Sequence, residues 1–231
     1  MKNNSFKIYE TIKLHYGKYL YKLKLYNQLA GIFRTEQQRS GKLGYAKSQL
    51  QEFNAKMLEG EIIKKGTWTE TIIEHDDLTD ANHIYACLRF NKDYLVRCEY
   101  NTLIIYSNNL NFLKKVASGI KNSEVELWQP TKENEHFLKT KKDVVIIDSP
   151  SKYKYKVTFG RKKARPELAS WLNQNQDKSK AGTIFIKNCA NSSYISGQYI
   201  FIRDDKVLFL INMIAGDNIV RVEELVLRTD I

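Results

Sequence analysis

The amino-acid sequence predicts an α+β protein with antiparallel or mixed sheets, and three observations carry the prediction. Short runs in which apolar and polar residues alternate at period two recur along the chain, as half-buried strands require. Between them lie segments whose apolar residues fall at helical spacing and whose ends carry capping residues. Of the 231 residues, 42% are hydrophobic and 12% aromatic, a content that can close a core and that a disordered basic arm lacks.

Residues 19–26 alternate, with Tyr19, Tyr21, Leu23 and Leu25 on one face and Lys22 and Lys24 on the other, and read as a strand. A polar stretch from Arg34 to Gly44 holds Arg34, Arg39 and Lys42. Beyond it Tyr45, Leu50, Phe53, Met57 and Leu58 predict a helix over 45–59. A second helix opens on His75-Asp76-Asp77, whose carboxylates suit the positive end of the dipole, and runs through Leu78, Ala81, Ile84, Tyr85 and Leu88 to about Asn91. Residues 94–100 and 102–107 read as strands meeting at a tight turn near Asn101. Asn108 or Asn109 caps a helix over 110–120, and 124–128 returns as a strand. Strands over 143–148 and 153–159, a helix over 166–175 with Pro166 in its first turn, and a strand over 183–187 repeat that β-β-α-β order. A strand over 199–203, a short helix over 207–215 capped by Asp204 or Asp205 and stopped at Gly216, and a strand over 219–227 complete the pattern.

These interleaved units are too short for a doubly wound sheet, and each starts on a hairpin. The expected fold therefore consists of ferredoxin-like (split β-α-β) units, with an added helical segment near the N-terminus. The order of elements recurs without a repeat of residue identity. The expected organisation is an N-terminal α+β part over 1–130, a lysine-rich linker or connecting helix over 131–142, and a C-terminal β-β-α-β-type part over 143–231.

Charge and cysteine usage bound the function. Lys+Arg number 37 against 26 Asp+Glu, a net charge of +11, which favours a polyanionic partner. No apolar run reaches the roughly 18 residues of a membrane span, and Met1-Lys2-Asn3-Asn4-Ser5 is followed by no apolar leader, so no membrane partner is expected. Cys87, Cys98 and Cys189 are odd in number and lack CxxC spacing, against a disulfide framework or zinc ribbon and for a reducing, cytoplasmic location. Only nine of the basic residues are Arg, and 18 Asn accompany three Pro. That is the bias of an AT-rich coding sequence and hints at a virus-encoded protein in an infected host cell. The phosphate cradles G-x-x-x-x-G-K-[ST] and G-x-G-x-x-G are absent, as are G-x-S-x-G and H-E-x-x-H. No cofactor is expected, and an enzyme reading is left with nonlocal sites alone.

The most informative segment is Lys152-Tyr153-Lys154-Tyr155-Lys156-Val157-Thr158-Phe159. Alternation through it puts Lys152, Lys154 and Lys156 on one face and Tyr153, Tyr155, Val157 and Phe159 on the other. Arg161, Lys162, Lys163 and Arg165 follow directly, so seven of the fourteen residues 152–165 are basic. Such density suits a phosphate backbone, which releases counterions when neutralised, and a loop ahead of a helix start adds backbone N–H donors. A second group, Lys13, Lys18, Lys22 and Lys24 among Tyr16, Tyr19, Tyr21 and Tyr26, interleaves cations with rings able to stack on bases. The plainer reading of both is a strand with its aromatic face in the core and its lysines in water. Neither an RRM signature nor a flanked KH-type loop is present, and Gly41-Lys42-Leu43-Gly44 matches GxxG only formally. Glu74-His75-Asp76-Asp77 with His83 is the best metal-ligand pattern, although adjacent acids fan around a helix instead of converging. Asp148, Asp204 and Asp205 would serve two-metal phosphodiester cleavage only if strand ends joined them.

The expectation is a non-enzymatic nucleic-acid-binding protein, DNA or RNA undecided, contacting the phosphate backbone through Lys152, Lys154, Lys156, Arg161, Lys162, Lys163, Arg165, Lys22 and Lys24. One alternative is a structural or assembly subunit of a larger viral or nucleoprotein complex, with protein partners. The other is a metal-dependent nuclease.

Overall fold

The computed structural model describes residues 7–34, 43–65 and 70–231. Arg39, Lys42 and the Met1–Ser5 start lie outside the described residues. The chain divides into two compact units, one of Met1–Thr11 with Lys18–Thr131 and one of Ile12–Gly17 with Lys132–Ile231. Both are α+β, each built on one mixed sheet.

In chain order the first unit contains β1 (Lys7–Glu10), β2 (Tyr21–Tyr26), α1 (Gly44–Leu58), β3 (Lys64–Lys65), β4 (Thr71–Ile72), α2 (His75–Arg89), β5 (Tyr94–Glu99), β6 (Thr102–Ser107), α3 (Leu110–Ser118) and β7 (Val125–Gln129). The sheet order is β1-β7-β2-β6-β5, with β1 parallel to β7 and every other pair antiparallel. The alternation of β2 decides which way the sheet faces. Leu23 and Leu25 are buried with Leu103 and Ile105, while Lys22 and Lys24 sit on the opposite face. The stripe Phe112, Leu113, Val116 and Ala117 buries α3, whose start is fixed by Asn109 accepting from the Phe112 N–H at 3.0 Å. Asp80 of α2 is buried and accepts the backbone N–H groups of Lys121 and Asn122 at 3.0–3.1 Å, tying α2 to the loop after α3. Its burial raises the carboxyl pKa. The β5–β6 turn rests on Tyr100, at φ 53°, one residue before the expected Asn101.

The second unit contains α4 (Lys132–Thr140), β8 (Val144–Ile147), β9 (Tyr155–Phe159), α5 (Pro166–Gln174), β10 (Ser179–Ala181), α6 (Thr183–Ala190), β11 (Tyr199–Ile202), α7 (Asp205–Ala215) and β12 (Ile219–Leu227). Its sheet runs β10-β11-β9-β12-β8, with β12 parallel to β8 and the rest antiparallel. The two sheets thus share one arrangement. In each, the first strand lies at an edge parallel to the last, followed by the second, fourth and third. The stretch 131–142 is largely the helix α4, with Leu138 fully buried.

One expected element is corrected. Residues 183–187 are not a strand but the start of α6, and the third strand of this sheet is the short β10 just upstream. Thr-Ile-Phe-Ile has strand propensity, but Phe185 and Cys189, four apart, are buried together in the core with Leu168 and Leu172 of α5. Tertiary packing overrides local propensity here. The same core takes Val157 and Phe159 of β9 and Ile200 and Ile202 of β11. Lys156, Phe201 and Glu223 therefore occupy the face away from α5, α6 and α7.

Candidate nucleic-acid interface

The nine nominated cations separate into distinct environments. β9 begins at Tyr155, so the alternation that would align Lys152, Lys154 and Lys156 breaks before it. Lys154 gives its backbone N–H to the carbonyls of Ile202 and Arg203, and its ammonium pairs with Asp205 at 2.9 Å. Tyr155 donates its hydroxyl to the same carboxylate. These two donors hold the Asp205 carboxyl below the usual range, and the Lys154 pKa rises through the contacts to Tyr155 and Asp205.

Lys156 is different. The register sets it between Phe201 of β11 and Glu223 of β12, and its ammonium stands 4.1 Å from the Tyr199 ring centroid. Glu223 is 3% exposed and is held by Lys13 at 3.2 Å and Arg221 at 3.8 Å. Lys156 has no ion pair of its own among the described residues, and burial, followed by repulsion from Lys13, lowers its pKa.

The loop from β9 to α5 is pinned through its backbone. Asn218 accepts the Lys162 N–H at 3.1 Å and donates to the Lys162 carbonyl at 3.0 Å, and the Ala164 N–H reaches the Ser193 carbonyl at 2.9 Å. The Lys162 ammonium pairs with Asp217, which pulls that carboxyl pKa down. Arg161, Lys163 and Arg165 are exposed and engage in no ion pair among the described residues. Lys163 and Arg165 border a depression of about 260 Å³ at the start of α5.

In the first unit, Lys24 pairs with Glu126 at 3.0 Å. Lys22 lies 3.3 Å from the centroid of the Trp128 ring, which stacks on Tyr9 at 4.8 Å. Burial and the neighbouring Lys24 lower the Lys22 pKa. Tyr19 and Tyr21 are buried, whereas Tyr16 and Tyr26 are exposed. Lys18 pairs with Asp93 at 3.0 Å.

Sequence patterns alone did not single out Tyr199, Phe201, Lys180 and Glu223. Tyr199 and Phe201 were legible, because the alternation Tyr199-Ile200-Phe201-Ile202 puts both rings on one face. Their neighbours across strands were not. The carboxylates proposed for metal are occupied otherwise: Asp148 by Arg228 at 2.7 Å, Asp204 by the Val207 N–H it caps, and Asp205 by Lys154. Among the described residues no group of three or more His, Cys, Asp or Glu converges. His83 sits 3.0 Å from the Lys115 carbonyl, and a side chain at Gly119 would collide with its ring. Burial pushes the Cys98 and Cys189 thiols up to about 11, away from nucleophilic use. No helix among the described residues is long and apolar enough to cross a membrane. No protein-family model, curated protein or solved structure matches the chain.

Proposed function

We propose that the protein is a non-enzymatic nucleic-acid-binding protein that holds the phosphate backbone chiefly through its second unit. The observation that carries this reading is the β9–α5 loop, where Arg161, Lys163 and Arg165 stand exposed, with no ion pair among the described residues, on a backbone fixed by Asn218. A fixed backbone lowers the ordering cost of presenting several cations to one polyanion. Lys152, exposed, and Lys156, in no ion pair among the described residues, add charge within the same unit. The fold is consistent with this. With β1 and β8 set aside, each sheet has the order fourth, first, third, second in antiparallel arrangement, the order of a ferredoxin-like split β-α-β unit.

Replacing Arg161, Lys162, Lys163 and Arg165 together by Ala tests the reading. The expected result is weaker binding, with the slope of log K against log salt reduced by about 0.7 for each single-strand phosphate that is no longer neutralised. Unchanged affinity and slope would remove the loop from the interface. A second reading, a subunit of a larger assembly, draws on α7, where Phe209 and Met213 are 65% and 64% exposed one turn apart. Sedimentation of the protein free of nucleic acid would favour it if stable oligomers form.

A further inference from the structure

We infer that the face of the second sheet away from its helices is a base-stacking site for single-stranded nucleic acid, a step that rests on the reading above and adds to it. Three rings form a ridge there. Tyr153 and Phe201 are inclined at 29° with centroids 6.2 Å apart, and Tyr199 meets Phe201 edge-on at 5.4 Å. Tyr199 is 46% exposed. Depressions of about 670 Å³ and 620 Å³ share Lys180 and Phe201 as a common wall. Both volumes lie within the range of about 300–1,000 Å³ that small-ligand sites occupy.

Charge selects the occupant. Lys152, Lys156 and Lys180 line the larger depression, and among the described residues none of the three is in an ion pair. The carboxylates nearby are committed elsewhere, Asp148 to Arg228 and Glu223 to Lys13 and Arg221. A surface offering flat rings beside uncompensated ammonium groups complements a ligand that is planar and anionic at successive positions along a chain. Single-stranded nucleic acid has that chemistry. A duplex keeps its base faces stacked inside and cannot present them to a ring. A phosphate beside Lys156 would also restore solvation that the ammonium loses on burial.

The test is fluorescence anisotropy with labelled single-stranded oligoadenylate, in ribose and deoxyribose forms, and with the corresponding duplex. The proteins compared are the wild type, Phe201→Leu, Tyr199→Leu, Phe201→Tyr and the quadruple loop variant, with Tyr199→Leu standing in should Phe201→Leu unfold. Loss of one stacking ring should weaken binding to at least one single strand about 10-fold. Duplex binding should be unchanged, and Phe201→Tyr should bind as the wild type does. Leucine variants that bind both single strands as tightly as the wild type overturn the inference, as does equal loss on single strands and duplex. If the loop variant alone loses affinity, the stacking site falls and the backbone reading stands. A wild type that binds neither single strand removes both.

Discussion

The second strand of each sheet carries a lysine that the register sets across from a glutamate, Lys24 of β2 opposite Glu126 and Lys156 of β9 opposite Glu223. In the first unit that pairing closes as a Lys24–Glu126 bridge at 3.0 Å. In the second, Glu223 turns to Lys13 and Arg221, so three cations share one carboxylate and Lys156 remains over. One frame therefore closes the lysine–glutamate pair in one unit and leaves the corresponding lysine over in the other. What fixes local charge is which carboxylates are already committed, and a count of lysines does not reveal that.

Several substitutions sharpen the comparison. The largest effect is expected in the frame itself. Leu23, fully buried on the core side of β2, should cost about 3 kcal/mol when replaced by Ala, read from the urea midpoint. A loss below about 1 kcal/mol would mean that this side of β2 is not a packed core. The two glutamates come next. Glu223→Gln should destabilise by about 2 kcal/mol, because it leaves Lys13, Lys156 and Arg221 facing one another. Glu126→Gln removes a half-buried bridge between two partners that both still reach water, and should cost less than about 1 kcal/mol. Equal losses would deny that the second unit concentrates its charge.

Titration gives a smaller effect of defined sign. The Lys156 ammonium is disfavoured by burial, so its folded-state pKa lies below the ordinary lysine value of 10.5. Its penalty is fully present below the folded pKa and disappears as pH rises through that value towards the unfolded one. Lys156 should therefore add stability in the alkaline window just below pH 10.5, and Lys156→Met should make that rise smaller, Lys22 still contributing to it, while stabilising the protein at about pH 7. A flat profile in the wild type would contradict the desolvation. The smallest change concerns Tyr100, held at φ 53° and almost fully exposed. Tyr100→Gly should raise stability by about 0.5 kcal/mol, the left-handed penalty being partly offset by glycine's unfolded-state entropy. A lower melting temperature would show that the ring contributes a contact.

Much of the frame was legible because it is local. The alternation in β2, the carboxylates opening α2, the Asn109 and Asp204 caps and the closing strand β12 all depend on residues within a turn or two of one another. The interface was less legible because its chemistry is long-range. Lys154 meets Asp205, Lys162 meets Asp217, and Lys13 meets Glu223 from across the chain. No spacing rule announces such pairs. The shared lysine–glutamate register of the two sheets was hidden in the same way, since Val125-Glu126 and Val222-Glu223 look unremarkable until pairing places each glutamate beside a lysine of the second strand.

Whether cations of the second unit meet a phosphate backbone is decided by the affinity for a single-stranded oligonucleotide over a range of salt concentrations. With Arg161, Lys163, Arg165 and Lys152 each neutralising one phosphate, log K should fall with log salt at a slope of about −3. No binding at low salt, or a slope near zero, would contradict the account.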